Sequence, residues 1–274
     1  MDIILIPGFW LDGDSWNEVA APLRAAGHPI HQLTLPGLES RDADRTGITF
    51  QDHVDAVVAA IDAIDTPVVL VGHSGGGAIA YGAVDARPEK VARVIYVDSG
   101  PLSEGGVIND ELPVVNGEIP LPDWSVFEDD DLIDLTDALR EHFRAIAIPE
   151  PERVASDVFH PTNPARYGVP ATVICCEFRS EQMRKWMEGG FAAELPLTAS
   201  YELVDLPTGH WPQFTKPAEL AATILAAVAR ELSSPGARRR TPRSPASRSA
   251  PDTADPLPAG PASSLAIGVR LRRS

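Results

Sequence analysis

Hydrophobic residues make up 44% of a 274-residue chain, a length normal for one α/β sheet enzyme and enough apolar material for a sizeable core. The formal net charge of −16 argues against a nucleic-acid partner, because neutralising phosphates takes clustered Lys and Arg. The only two cysteines, Cys175 and Cys176, are adjacent within an apolar run, which offers neither a disulfide framework nor the spacing of zinc ligands.

The first apolar run, residues 2–6, follows no basic region and is too short for a signal peptide. No run approaches the ~20 apolar residues that cross a bilayer, so the chain reads as cytoplasmic with no membrane partner. Residues 2–6, 29–33, 67–71, 92–97, 171–176 and 201–206 read as buried parallel strands. Helical stretches fall between most of them. Ser15-Trp16-Asn17-Glu18 has the form of a capping box opening a helix that ends at Gly27. Residues 49–64 carry Phe50, Val54, Val57, Val58 and Ile61 at helical spacing, and Pro217 opens a closing helix to residue 232. Strands alternating with helices imply a mostly parallel six-stranded sheet with helices on both faces.

The interval 99–170 is too long for a simple crossover and is expected to form a lid or cap insertion. One helix is expected in it, over 132–146, with Leu132, Leu135, Leu139, Phe143 and Ile146 on one stripe. The acidic run Glu128-Asp129-Asp130-Asp131 before it reads as a solvated helix N-terminus rather than a metal site. Composition breaks near Leu232. Residues 233–274 hold eight Arg against two Asp, a surplus of six that leaves the body at −22 within the whole-chain −16. With no apolar period this tail cannot offset its ordering entropy and is expected to be disordered. The expected units are therefore 1–98 with 171–232 as the core, 99–170 as the lid and 233–274 as the tail.

Gly72-His73-Ser74-Gly75-Gly76 follows the apolar run Val68-Val69-Leu70-Val71 and opens a helix over 77–86. This is G-x-S-x-G in strand–turn–helix context. The turn is tight enough to require glycine on both sides, and it lifts the serine hydroxyl above the sheet at a helix N-terminus. Of the seven histidines, only His210 follows the last strand and precedes the last helix. His73 is expected to pack beside the elbow, and His53 and His142 lie within helical stretches.

On these motifs the chain resembles the α/β-hydrolase superfamily over roughly residues 1–232, in particular the short members that begin at the third strand of the fold. The resemblance implies an α/β-hydrolase fold with Ser74 as nucleophile and His210 as base. It also implies an oxyanion hole from the backbone N–H groups of Phe9 and Gly75, since Ile3-Ile4-Leu5-Ile6-Pro7-Gly8-Phe9 stands where the family has a strand and His-Gly-X, with Pro7 in place of the His. Members commonly carry the acid after the penultimate strand. Here Glu177-Phe178-Arg179-Ser180-Glu181 has no Asp at that place, and the other known location, the strand end Val97-Asp98-Ser99-Gly100, offers Asp98. Asp98 is expected to complete the set, with Glu177 or Glu181 as alternatives.

Ser, His and a carboxylate with two N–H donors describe acyl transfer, so the expected activity is hydrolysis of a small, apolar ester- or lactone-type substrate, without cofactor or metal. Same-fold lyase, acyltransferase or cofactor-free oxygenase chemistry, or a ligand receptor, are the alternatives that fold and motif leave open. Two or three of Phe9, Trp10, Trp124, Trp186, Trp211 and Phe214 are expected to line the pocket.

Overall fold

The computed structural model describes residues 1–190 and 192–233. The expected disordered tail, apart from Ser233 at the end of the last helix, lies outside the described residues. In chain order the elements are β1 (Ile3–Ile6), α1 (Asn17–Ala25), β2 (Ile30–Gln32), α2 (Phe50–Asp62), β3 (Val68–His73), α3 (Gly75–Ala86) and β4 (Val91–Val97). There follow β5 (Glu118–Ile119), α4 (Asp137–Ile146), β6 (Glu150–Pro151), α5 (Glu152–Ser156), β7 (Ala171–Cys175), α6 (Ser180–Glu188), β8 (Tyr201–Asp205), α7 (Pro212–Thr215) and α8 (Pro217–Ser233). Among the described residues no helix is long and apolar enough to cross a membrane.

Six strands form one parallel sheet in the order β2-β1-β3-β4-β7-β8. The strands β1 and β3 are buried at every position because both faces of the sheet are covered. Successive side chains point to opposite faces, so one strand feeds two cores. Ile3, Leu5, Val69, Val71, Ile95 and Ile174 meet α1, the turn before it and α8 through Trp16, Val19, Leu23, Leu220, Ile224 and Val228. Ile4, Ile6, Leu70, Tyr96 and Val173 meet the opposite layer, which holds α2, α3 and the segment between β4 and β7. Because all six strands run the same way, the loops after β1, β3, β4, β7 and β8 gather at one edge of the sheet.

Three local expectations need correction. Ser15 does not cap α1. Its hydroxyl donates back to the Asp12 carbonyl at 2.6 Å, while the Asp12 carboxylate accepts from the Asp14 N–H at 3.0 Å, so the cap lies three residues earlier and opens a short 3-10 turn. The helix expected over 132–146 starts only at Asp137, capped by the Thr136 hydroxyl. Residues 131–133 are committed elsewhere. The Asp131 carbonyl accepts the His210 N–H at 2.8 Å, and the Ile133 carbonyl accepts the Gly209 N–H at 3.1 Å. Asp134 then takes a left-handed φ of 63°, which breaks any helix through it. The acidic run is therefore no solvated helix N-terminus: Asp131 is buried, and its carboxylate accepts the Glu128 N–H at 3.1 Å.

The segment between β4 and β7 adds an antiparallel pair, β5 with β6, that the sequence pattern does not announce. Its Glu150 is buried beside His53 of α2, with Oε1 3.8 Å from Nδ1. Burial pushes the Glu150 carboxyl up to about 8, against the smaller pull of the Trp10 N–H and the Arg45 charge. Burial likewise pulls His53 down to about 4. Between pH ~4.5 and 8 an unfolded chain releases the Glu150 proton and the folded chain keeps it, so the Glu150 contribution to stability falls as pH rises through that window, while that of His53, whose folded form gives up its proton first, rises up to pH ~6.5. Glu150→Gln has no such proton. Urea titrations should show its stability relative to the unsubstituted chain rising by a few kcal/mol from pH ~4.5 to 8 and levelling above.

Candidate active site

The strand β3 runs directly into Ser74, whose φ of 53° and ψ of −127° lie outside the regions normal for a residue with a side chain. The surroundings enforce this. Gly72 packs so close to the Gly76 carbonyl, and Gly76 to the carbonyls of Ile6 and Pro7, that a Cβ at either would overlap backbone. The Ser74 N–H donates to the Val97 carbonyl at 3.1 Å, and its carbonyl accepts the Ser99 hydroxyl at 2.6 Å. Gly76→Ala should cost at least about 3 kcal/mol, because the obstruction is backbone and cannot rotate away. A thermal melt followed by circular dichroism should show the midpoint lowered by about 6 to 12 °C.

Three side chains from three loops meet at this edge. The Ser74 hydroxyl donates to His210 Nε2 at 2.9 Å, and His210 Nδ1 donates to Asp98 Oδ2 at 2.7 Å. Ser74 is 6% exposed, whereas Asp98 and His210 are fully buried. The second Asp98 oxygen accepts the N–H groups of Cys176 at 2.8 Å and Glu177 at 3.2 Å, so the turn that follows β7 aims the carboxylate. Burial raises the Asp98 carboxyl above its ordinary value, while the hydrogen bonds from His210, Cys176 and Glu177 pull it back. With the Nδ1–H held by its hydrogen bond to Asp98, Nε2 keeps a lone pair toward the serine. The arrangement can take a proton from Ser74 and hold it on an imidazolium flanked by a carboxylate.

Glu177 is also near, with Oε2 3.6 Å from His210 Nδ1. Glu181 is not: it is exposed on α6 and pairs with Lys185 at 2.9 Å. The donor atoms of Asp98, Glu177 and His210 lie within 4.8 Å of one another, close enough in principle for a metal ion. Both ring nitrogens of His210 are already engaged by Asp98 and Ser74, which suits proton handling better than ligation.

The base is held by groups that its own motif does not reveal. His73 is buried, and its Nε2–H donates to the His210 carbonyl at 2.7 Å, while the Gln213 amide donates to His73 Nδ1 at 3.3 Å. Burial, and then the charge His210 can carry, push the His73 imidazole well below its ordinary value, so it stays neutral. The carbonyls of Asp131 and Ile133 bind the same turn from the other side.

The Phe9 ring lies against Gly75, and Trp10 is buried behind it. Gly75 opens α3, so its N–H has no carbonyl four residues back within the helix. Among the described residues neither that N–H nor the one of Phe9 has an acceptor. Trp124, Trp211 and Phe214 join Phe127 and Phe143 in one aromatic cluster between α4 and the His210 turn. Trp186 packs on Phe178 instead. Of the six aromatic candidates, Phe9 lies against the elbow at Gly75.

The family model of the alpha/beta hydrolase family matches residues 3–223. A carbendazim-hydrolysing esterase from a Nocardioides species is 34% identical over 101 residues, 36% of this chain and 41% of that protein. Lipase LipV of Mycobacterium tuberculosis is 29% identical over 253 residues, 81% of this chain and 91% of the lipase. Among solved structures, an extracellular alpha/beta-hydrolase from a Paenibacillus species superposes with a TM-score of 0.67 at 20% identity, over 83% of this chain and 98% of that one. At that identity the likeness establishes a shared fold.

Proposed function

The chain belongs to the alpha/beta hydrolase family, and on that premise we propose that it is a serine hydrolase cleaving a small ester- or lactone-type substrate through an acyl-enzyme. The observation that carries the reading is the unbroken relay from the Ser74 hydroxyl through His210 to Asp98, at 2.9 and 2.7 Å. The ester-cleaving activities that the names of the Nocardioides and Mycobacterium relatives state support the same class of bond.

Ser74 Oγ attacks the substrate carbonyl carbon as His210 Nε2 takes its proton. The carbonyl oxygen gains the charge and is met by the N–H groups of Phe9 and Gly75, the second at the positive end of α3. Asp98 holds the tautomer and stabilises the imidazolium. His210 returns the proton to the leaving alcohol oxygen, leaving the acyl group on Ser74. Water, deprotonated by His210, then releases the acid and restores the serine. Residues 99–170 act as the cap over this edge of the sheet, with Trp124, Phe127 and Phe143 seated on Trp211 beside His210.

A panel of p-nitrophenyl esters of increasing acyl length tests the reading. The expected result is saturable release with a stoichiometric burst on at least one short or medium ester. Neither burst nor turnover on any ester or lactone, from folded protein, would leave the fold without this function.

A further inference from the structure

Trp10, directly after Phe9, has a left-handed φ of 67°, uncommon for a bulky residue. Three bonds from the segment between β4 and β7 hold it there. Its N–H donates to Glu150 Oε2 at 3.3 Å, its carbonyl accepts the Ile148 N–H at 2.9 Å, and its indole N–H donates to the Ile119 carbonyl at 3.0 Å. The Trp10 N–H is attached to the Phe9 carbonyl carbon, so fixing it fixes the plane of the peptide that follows Phe9.

Glu150 is unlike the other two partners, which are backbone carbonyl and N–H groups. It is a side chain, 1% exposed, and the nearest basic group is His53 Nδ1 at 3.8 Å. The His53 Nε2–H donates to the Pro36 carbonyl at 2.9 Å, so Nδ1 presents a lone pair to Glu150. Arg45 steadies the strand that carries Glu150, through the Pro149 carbonyl at 2.8 Å and Glu118 at 3.1 Å. A carboxyl buried without a close ion pair is costly, and here it serves one donor, on the turn that carries Phe9.

We propose that Glu150 is a positioning residue for the oxyanion turn: through the Trp10 N–H it holds the Phe9 N–H aimed at the carbonyl that Ser74 attacks. This rests on the serine-hydrolase reading above. The cap segment thereby supplies part of the rigidity of the reaction centre without touching the substrate. Preorganised donors lose their value when they drift, which is felt in the transition state more than in substrate binding.

Glu150→Leu and Glu150→Gln, made in the full chain, test this with an ester the unsubstituted chain turns over. Glu150→Leu should lower kcat by about 10- to 100-fold with KM changed less than about 3-fold. Glu150→Gln keeps an acceptor oxygen for Trp10 and should restore kcat to within about 3-fold. An aryl trifluoromethyl ketone gives a second readout. Ser74 Oγ adds to its carbonyl carbon, the proton passes to His210, and the resulting oxyanion occupies the same hole; its affinity should fall at least about 10-fold in Glu150→Leu. A purely structural role would lower the melting temperature and leave these two quantities alone. If Glu150→Leu does not fold, Glu150→Asp, which withdraws the carboxyl by one methylene, takes its place with the same expected split. Unchanged kcat and ketone affinity in the folded Leu or Asp variant, beside an active parent, would overturn this inference alone. A parent chain that neither turns over an ester nor binds the ketone would overturn the hydrolase reading, and this inference with it.

Discussion

Ser74→Ala is expected to lower ester turnover by a factor of about 10⁴ or more while leaving the fold intact. The hydroxyl donates one hydrogen bond, to His210 Nε2, and the backbone of the elbow is fixed by Gly72, Gly76 and the Val97 and Ser99 contacts rather than by the serine side chain. Alanine therefore removes the attacking atom and little else. What remains is the oxyanion site and substrate binding, enough for weak acceleration of attack by water. The ratio of kcat/KM to that of the parent chain measures the loss, and a circular dichroism melt should move by less than about 3 °C.

Asp98→Asn should lower turnover by about 10² to 10⁴. One Asp98 oxygen accepts two backbone N–H groups, from Cys176 and Glu177, and the other accepts His210 Nδ1–H. An asparagine keeps its single carbonyl oxygen toward the two backbone donors, which turns its NH₂ toward Nδ1. The ring must then carry its proton on Nε2, the nitrogen that has to receive the Ser74 proton. Glu177 sets the size of the residue: its Oε2, 3.6 Å from Nδ1, still stabilises the imidazolium once formed. Glu177→Gln alone should cost less than about 10-fold, because the ring tautomer remains under Asp98. Glu181→Gln, on an exposed residue paired with Lys185, should leave kcat/KM within about 2-fold. Kinetics of the three variants on one ester separate these cases, and a Glu177→Gln loss as large as that of Asp98→Asn would move the acid role to Glu177.

Much of this architecture is legible in the chain. Short, largely apolar runs mark a sheet covered on both faces, and G-x-S-x-G between such a run and a small-residue helix marks the elbow. The residues that brace the site are less legible, because their roles depend on backbone atoms. Asp131 and Ile133 serve through their carbonyls, which no side-chain pattern encodes, and the same bonds delay the start of α4 to Asp137. His73 reads as packing beside the elbow, yet it donates to the carbonyl of a residue 137 positions away. Ser15 matches a capping signature but turns its hydroxyl back to Asp12, since Trp16 is drawn into the core where the helix would begin. Glu150 has no motif at all. It becomes visible only when the strand pair β5–β6 brings it under Trp10.

The most direct measurement is the mass of the intact chain after brief exposure to a fluorophosphonate, followed by peptide mapping. Phosphonylation needs a serine activated by its base, so it reads the relay itself without any assumption about the natural substrate. The parent chain should gain one adduct, on the peptide bearing Ser74, and Ser74→Ala should gain none. Labelling that persists in Ser74→Ala, or a parent chain that stays unlabelled while folded, would contradict the assignment of Ser74 as the nucleophile.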